Sequence, residues 1–330
     1  RAKMDAINPA ARYVALCIDR SKETTQAIIA IMRAGFGYVS LDPAQPDDRL
    51  RFIAEHSGAP LIISQESKQE IFEGLEATVA APEVFTDSAA TPITGHLSTP
   101  SGAAWVIFTS GTTGRPKGVE ISQRNAARFL VMFKERYGIV ESDVFTASAS
   151  FSFDYSTIEN FIPLSAGARV YIVASSVLVE PSALVDLIEA EEITVFSQTP
   201  AAFQNIIEVT RDRGGLKHWP RYVNLGGESL VIENLEGWFG LEGSEATTIM
   251  NLYGITETTV MSCCYPVTRA DLGLHRFTPI GTPFADQSFY VLDKTRDVIP
   301  DGVMGELYIG GGGIADGYIG QMELSRSRFL

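Results

Sequence analysis

Three cysteines among 330 residues are too few for a disulfide framework, and Cys17, Cys263 and Cys264 are too unevenly spaced for a zinc site. A reducing, cytoplasmic setting fits that usage. Positive charge is scarce as well: 26 Lys and Arg stand against 40 Asp and Glu, a formal net charge of −14. Nucleic acid and anionic lipid are held mainly by clustered Lys and Arg, so neither is an expected partner and any phosphate site must be local. The sequence has no basic-then-apolar leader and no apolar run long enough to span a bilayer. The four histidines, His56, His96, His218 and His275, are scattered without metal spacing, so structural or exposed positions are expected for them. No G-x-S-x-G nucleophile elbow and no internal repeat is present. What remains is ordinary for a folded globular chain, 45% hydrophobic and 20% charged. Opening at Arg1 without Met and stopping at Leu330, the sequence reads as a fragment.

The first two-thirds alternates strand-like and helix-like segments. Arg12 to Ile18 is apolar and β-branched, and the helical spacing of Ala27, Ile28, Ile31 and Met32 follows, closed by Gly35 where a helix end favours positive φ. Further strands are expected at Tyr38 to Leu41, Leu61 to Ser64, Ala104 to Thr109, Arg169 to Val173, Thr194 to Ser197, Tyr222 to Leu225 and Thr248 to Leu252. Helices are expected at Asp47 to His56, Gln123 to Tyr137, Ser156 to Leu164 and Ser182 to Glu191. This βαβ rhythm implies an α/β fold of layered, mainly parallel sheets covered by helices. Asp87 to Gly102 reads as a surface linker. After about Val260 short strands separated by Gly, Pro and Asp, such as Ser288 to Asp293 and Gly305 to Gly310, suggest a smaller antiparallel lobe. The expected division is an α/β core over residues 1–259 and a mainly β part over residues 260–330. Cys263 and Cys264 fit a strand as small apolar residues, and Gly310 to Gly313 reads as a turn rather than a dinucleotide loop.

The segment richest in chemistry runs Thr109-Ser110-Gly111-Thr112-Thr113-Gly114-Arg115-Pro116-Lys117-Gly118, directly after a buried strand. Glycines let backbone approach a ligand and expose N–H groups, hydroxyls add donors and Lys117 adds charge, which is what a polyphosphate needs. No G-K-[ST] occurs in it, so it is not a Walker A loop. The alternative is a flexible Ser/Gly-rich turn.

This string resembles the phosphate loop of the adenylate-forming superfamily. Two further motifs of that superfamily follow in order: Tyr253-Gly254-Ile255-Thr256-Glu257, and Gly305-Glu306-Leu307-Tyr308-Ile309-Gly310 with Gly317-Tyr318. Ala34-Gly35 to Tyr38-Val39-Ser40-Leu41-Asp42-Pro43 and Phe151-Ser152-Phe153-Asp154-Tyr155-Ser156 are similar to segments of the adenylation domains of nonribosomal peptide synthetases, with Arg33 and Ser40 as departures. The resemblance covers about Tyr13 to Phe329.

The resemblance implies ATP-dependent activation of a carboxylic acid as an acyl-adenylate, with pyrophosphate leaving. Thr109, Ser110, Gly111, Thr112, Thr113, Gly114 and Lys117 would hold phosphates. Tyr253 offers a ring face and Asn251 a carboxamide to adenine, Gly226-Gly227-Glu228 resembles the other adenine wall, and Leu252 and Gly254 complete the nucleotide set. Thr256 can donate to the α-phosphate, and Glu257 is a hard oxygen ligand suited to Mg²⁺. Lys117, Thr256 and Glu257 are therefore the expected catalytic residues.

Asp154, set among Phe151, Phe153 and Tyr155, is costly to bury unless a cation pairs with it. By resemblance that cation is the α-ammonium of an amino acid; the alternative is a helix N-cap. By the same resemblance Phe153, Tyr155, Ile158, Ser197, Val223, Leu225, Gly226, Leu252, Val260 and Met261 line the substrate pocket. None is charged, so a neutral side chain is expected; Leu225 and Leu252 stand where, by the same resemblance, smaller residues often accommodate a bulky substrate, so a small or medium aliphatic side chain is expected. The resemblance further implies a carrier domain whose phosphopantetheine thiol accepts the acyl group. It also implies a mobile C-terminal lobe, beyond the point where this sequence stops, with a Lys that contacts the reacting carboxylate and phosphate. Adenylation by these residues alone is accordingly expected to be slow. The competing readings are an acyl-CoA or aryl-acid ligase of the same superfamily, and a non-catalytic binding module that keeps the fold.

Overall fold

The computed structural model describes all residues except 1–3, 5, 6, 9, 86–97, 111–114 and 275–276; for residues 84 and 85 it describes only the backbone. Much of the expected linker and both His96 and His275 lie outside the described residues. Two compact units form. One comprises Arg1–Phe129, Ser150–Asp154 and Ala315–Leu330, and the other Leu130–Ala149 and Tyr155–Ile314.

The first unit is built on a seven-stranded sheet ordered β16-β6-β5-β2-β1-β3-β4. Its strands are β1 (Tyr13–Cys17), β2 (Gly37–Ser40), β3 (Leu61–Ser64), β4 (Thr78–Ala80), β5 (Ala103–Ser110), β6 (Pro116–Ser122) and β16 (Gly317–Tyr318). β1 to β5 run parallel; β6 joins β5 antiparallel, and β16 joins β6 antiparallel at the edge. The Lys22–Arg33 helix makes the crossover from β1 to β2. Ser21 starts it by accepting a hydrogen bond from the Thr24 amide, and Gly35 at φ 86° stops it. Ala15, Cys17, Val39 and Leu41 pack on Leu50, Ile53 and Ala54 of the Asp47–Ser57 helix. β1 is buried along its whole length, as expected of a parallel strand covered on both faces.

The second unit repeats the pattern with the order β13-β12-β11-β10-β9-β7-β8. Here β7 (Val144–Ala147), β8 (Arg169–Ile172), β9 (Val195–Gln198), β10 (Tyr222–Leu225) and β11 (Thr248–Tyr253) are parallel, while β12 (Cys263–Val267) and β13 (Thr282–Pro283) are antiparallel. One face carries a core of Phe196, Val223, Leu225 and Ile249 against Leu184, Ile188, Phe203 and Trp238 from the covering helices. Thr199 and Pro200 start the Pro200–Asp212 helix, the hydroxyl accepting from the Ala202 amide. At the strand ends below, Asp143 is buried and takes both oxygens' worth of contact from Arg221, 2.6 and 2.7 Å, with a further bond from Thr194.

The antiparallel character expected beyond residue 260 is present. β14 (Gln287–Leu292) and β15 (Glu306–Gly311) form a two-stranded sheet of their own, which places Gly310 opposite Ser288. Cys263 and Cys264 are buried, free thiols at the start of β12. No helix among the described residues is long and apolar enough to cross a membrane.

Candidate functional site

In the first unit the Thr109 to Gly118 segment runs from the end of β5 to the start of β6, which pair antiparallel. Thr109 pairs with Lys117 and Ser110 with Pro116, so β6 follows the loop directly. Gly111, Thr112, Thr113 and Gly114 lie outside the described residues. Since a strand and not a helix follows, no helix dipole stands behind this loop, and its positive charge is carried by side chains, Lys117 foremost. Thr109 Oγ1 is buried with no hydrogen-bond partner among the described residues, while Ser110 is exposed. Lys117 Nζ donates to Tyr318 Oη at 2.8 Å and lies 4.4 Å from the centre of the Tyr318 ring.

The same unit holds Phe153 and Asp154. Phe153 is 63% exposed, whereas Asp154 is half-buried. Tyr38 on β2 is fully buried, and burial first, then the negative charge of Asp154, pushes its phenol well above the ordinary tyrosine range. Ser152 Oγ donates to the Ser40 carbonyl at 3.3 Å, fixing the segment before Asp154 to the end of β2. Tyr155, not Asp154, occupies the position before the first turn of the Ser156–Ser165 helix. Asp154 thus lies close enough to the buried Tyr38 phenol for its negative charge to act on it. Tyr38 belongs to this neighbourhood although nothing but its place in the Tyr-Val-Ser-Leu-Asp-Pro segment hinted at it.

In the second unit Tyr155, Ser197, Gly226 and Leu252 converge. A methyl group built on Gly226 would stand 3.3 Å from Tyr155 Cε2 and 3.4 Å from Leu252 Cβ. Burial raises the Tyr155 phenol beyond the usual range; the Ser197 hydroxyl opposes that shift and the Glu159 charge adds to it. Glu159 is buried and accepts from Ser148 N, Ser148 Oγ and Ala149 N at 2.6–2.7 Å, which anchors the helix bearing Ile158 to the end of β7. Ile158, Val260 and Met261 are also buried. Val223 and Leu225, expected in the pocket, instead lie in the helix-packed core with Phe196 and Ile249. The cause is strand alternation: Asn224 pairs with Ser197 and Met250, so it is Asn224 that shares the face of Ser197 and Leu252. Asn224 is wholly buried, and neither atom of its amide has a hydrogen-bond partner among the described residues. A polar residue within the apolar run Tyr222-Val223-Asn224-Leu225 was the available signal.

The expected nucleotide residues of this unit gather at the ends of β10 and β11. Gly227 adopts φ 85° and is exposed. Glu228 accepts from the Ala201 amide at 2.7 Å, tying this turn to the first turn of the Pro200–Asp212 helix. Asn251 is buried and donates to the Pro279 carbonyl at 2.9 Å; Tyr253 is half-buried, and desolvation raises its phenol. Gly254 permits a close crossing, since a methyl group there would stand 2.4 Å from Met261 Cα. Thr256 is buried and Glu257 half-buried on the one-turn Thr256–Thr258 segment. Thr259 and Val260 follow at φ 62° and 68°, rare for residues with a Cβ, and Thr259 Oγ1 secures the turn by donating to the Gly313 carbonyl at 2.7 Å. Among the described residues no cluster of three His, Cys, Asp or Glu could enclose a metal. A lone Glu257 nevertheless fits Mg²⁺, which is usually held by one or two carboxylates with phosphate oxygens and waters completing its shell.

Of the remaining histidines, the His56 ring stacks on Phe52 at 3.8 Å and His218 Nε2 lies 3.0 Å from the Ile193 carbonyl oxygen, both structural contacts.

A family model described as AMP-binding enzyme matches residues 6–319. The chain is 34% identical over 333 residues to a dimodular nonribosomal peptide synthase of Bacillus subtilis (strain 168), covering 97% of this chain and 14% of that protein. It is 33% identical to the syringomycin synthase SyrB1 of Pseudomonas syringae pv. syringae, covering 96% of this chain and 52% of the relative. Among solved structures, holo-AB3403, a four-domain nonribosomal peptide synthetase bound to AMP and glycine, superposes with a TM-score of 0.78 at 31% identity, covering 96% of this chain and 22% of that one. The chain therefore spans only part of the length of these relatives.

Proposed function

We propose, for a chain that belongs to the AMP-binding enzyme family, that it activates an amino acid with ATP as the aminoacyl-adenylate and serves a carrier domain in nonribosomal peptide synthesis. The observation that carries the amino-acid reading is Asp154: a half-buried carboxylate beside the buried Tyr38, next in sequence to Tyr155 of the pocket. An α-ammonium group would neutralise it.

The reaction needs no strong base, because the substrate carboxylate is already ionised at neutral pH. One carboxylate oxygen attacks the α-phosphorus of ATP, the bond to the bridging oxygen breaks and pyrophosphate leaves, so catalysis consists of positioning and charge neutralisation. Thr109, Ser110 and Lys117 would donate to phosphate oxygens, with Gly111 to Gly114 of the same loop. Tyr253, the Gly226-Gly227 backbone and Asn251 would hold adenine, and Thr256 would donate to the α-phosphate. Glu257 would hold Mg²⁺, whose charge, when bound, offsets that of the phosphates.

Tyr155 and Leu252 against Gly226 support a side chain of small or medium size. Tyr155, Ile158, Ser197, Gly226, Leu252, Val260 and Met261 carry no charge, which supports a neutral one. Asn224 adds that the aliphatic part should carry one hydrogen-bonding group, because a wholly apolar occupant would leave the amide desolvated, at about 1–3 kcal/mol. The NRPS relatives support a carrier domain bearing phosphopantetheine as the acceptor and a complete protein longer than this chain.

The test is ATP–pyrophosphate exchange by the complete protein over a panel of proteinogenic amino acids, aryl acids and fatty acids. Exchange with a neutral amino acid, abolished by Asp154→Ala, is the expected result. Exchange with aryl or fatty acids alone would replace this reading with the acyl-CoA or aryl-acid ligase, and exchange with no acid would leave a binding module.

A further inference from the structure

A buried hydroxyl is expensive to leave without a hydrogen-bond partner, so one that has none marks a place where something polar is to be met. Tyr38 carries such a group. It stands on β2 between Val14 of β1 and Trp105 of β5, and is fully buried. Its ring centre lies 6.2 Å from that of Trp105, which is buried as well, with the two planes tilted by 40°. A ring enclosed in this way by packed strands has little freedom to swing. Yet Tyr38 Oη has no hydrogen-bond partner among the described residues.

The turn that bears Asp154 is fastened to the same strand. Ser152 Oγ donates to the carbonyl of Ser40, two residues beyond Tyr38, at 3.3 Å. Ser150 shapes the turn from within: its hydroxyl accepts from the Ser152 amide at 3.1 Å and its carbonyl from the Phe153 amide at 2.9 Å. Phe153 is left exposed, and Asp154, the next residue, half-buried. Asp154 is the charged side chain that acts on the Tyr38 phenol, and together with burial it keeps the hydrogen on that oxygen, so the group remains a donor. A hydroxyl rotates about its C–O bond and orients in the field around it. With no acceptor of its own, it turns its hydrogen toward the negative charge beside it.

We infer that Tyr38 is a positioning residue for Asp154: its firmly held hydroxyl, which no other described residue engages, presents its hydrogen to the carboxylate and keeps that charge directed at the α-ammonium group of the substrate. The inference rests on the proposed role of Asp154 and adds a residue to it. A carboxylate has two oxygens with about four lone-pair sites, so Tyr38 acts alongside the ammonium and alongside the other neighbours of Asp154 without displacing them.

The experiment uses the complete protein, as wild type and with Tyr38→Phe, Asp154→Asn or both changes, and the amino acid that gives the fastest pyrophosphate exchange in the panel of acids. Tyr38→Phe keeps the ring and its packing on Trp105 and removes only the hydroxyl. Two competitive inhibitors derived from that amino acid separate its two ends: the acid that lacks the α-amino group, and the amino alcohol in which the carboxylate is reduced. Tyr38→Phe should raise the KM of the amino acid and the Ki of the amino alcohol about fivefold, roughly 1 kcal/mol, and leave the Ki of the deaminated acid and the KM for ATP within about twofold of wild type. In the Asp154→Asn background the same change should alter the Ki of the amino alcohol less than about twofold. An unchanged Ki for the amino alcohol in Tyr38→Phe would overturn the inference, as would an equal rise for both inhibitors, which a merely structural loss would give. So would a melting temperature above wild type, the mark of a buried hydroxyl that served nothing. Should Asp154→Asn itself leave the Ki of the amino alcohol unchanged, the ammonium-binding role of Asp154 falls; should it raise that Ki strongly while Tyr38→Phe does not, only the positioning role does.

Discussion

Gly226 and Tyr155 face each other in the second unit with room for no side chain between them: a methyl group added to the glycine would come within 3.3 Å of Tyr155 Cε2. Leu252 closes the same spot from β11, at 3.4 Å. The dimensions of the proposed substrate pocket would at this point be set by two large side chains and one missing one, and could be altered in either direction.

Gly226→Ala should force Tyr155 or Leu252 aside by a few tenths of an ångström and lower kcat/KM for the preferred amino acid by roughly tenfold, a change typical of one methylene in a tight pocket. Leu252→Ala should do the reverse and admit bulkier side chains, at a stability cost of about 2–5 kcal/mol. Exchange rates across the amino-acid panel, with thermal melts of each variant, measure both effects. Equal preferences in Leu252→Ala and wild type would show that Leu252 does not bound the pocket.

Much of the architecture was legible in the sequence because its signals are local. The Gln123–Tyr137 helix is closed by Gly138 at φ 57°, and the Lys22–Arg33 helix is bracketed by Ser21 and Gly35; each boundary is written within a few residues of itself. β6 escaped because Pro116-Lys117-Gly118 has the composition of a turn and becomes strand only through pairing with β5. The phase of β10 escaped for a different reason. A strand covered on both faces is apolar at nearly every position, so hydrophobicity cannot say which residues face the helices and which the pocket, and a one-residue slip exchanges the two sets. Asn224 reveals the phase, because a buried amide marks the face where something polar is to be met. The pairing of Tyr38 with Asp154 was beyond reach, since only the fold brings such distant residues together.

Glu159 should be worth more to the fold than its surroundings suggest. It is buried and accepts three short hydrogen bonds from Ser148 and Ala149, none of which water can replace. Glu159→Gln turns one acceptor into a donor facing these groups and should lower stability by about 2–3 kcal/mol. Urea denaturation gives the value; a loss below about 0.5 kcal/mol would mean the carboxylate contributes little beyond its shape.

The buried thiols predict an alkaline limit to stability. Burial pushes Cys17 and Cys263 up to about 12, far above the value of an exposed thiol near 8.5. A raised folded value means that the unfolded chain loses its protons first. The thiols therefore cost nothing below about pH 8.5, and stability declines from there toward pH 12, by about 1.4 kcal/mol per pH unit for each thiol. Denaturation midpoints at pH 8 and pH 10 should differ accordingly, with a shallower decline in Cys17→Ala; the same slope in both would assign the loss to other groups. Neither thiol should react with iodoacetamide at pH 8 until the chain unfolds.

The joining of β16 to β6 also has a bearing on how the chain is made. The outer strand partner of β6, β16, follows only about 200 residues later, and at ribosomal rates that interval lasts roughly 10 to 40 seconds. Throughout it, the outer edge of β6 presents unpaired amide and carbonyl groups, the kind of edge that recruits foreign strands. The first unit can acquire most of its core early, yet this margin of its sheet is covered only when Gly317 and Tyr318 emerge. A nascent chain halted before Gly317 would thus hold a folded sheet with an open, aggregation-prone margin along β6.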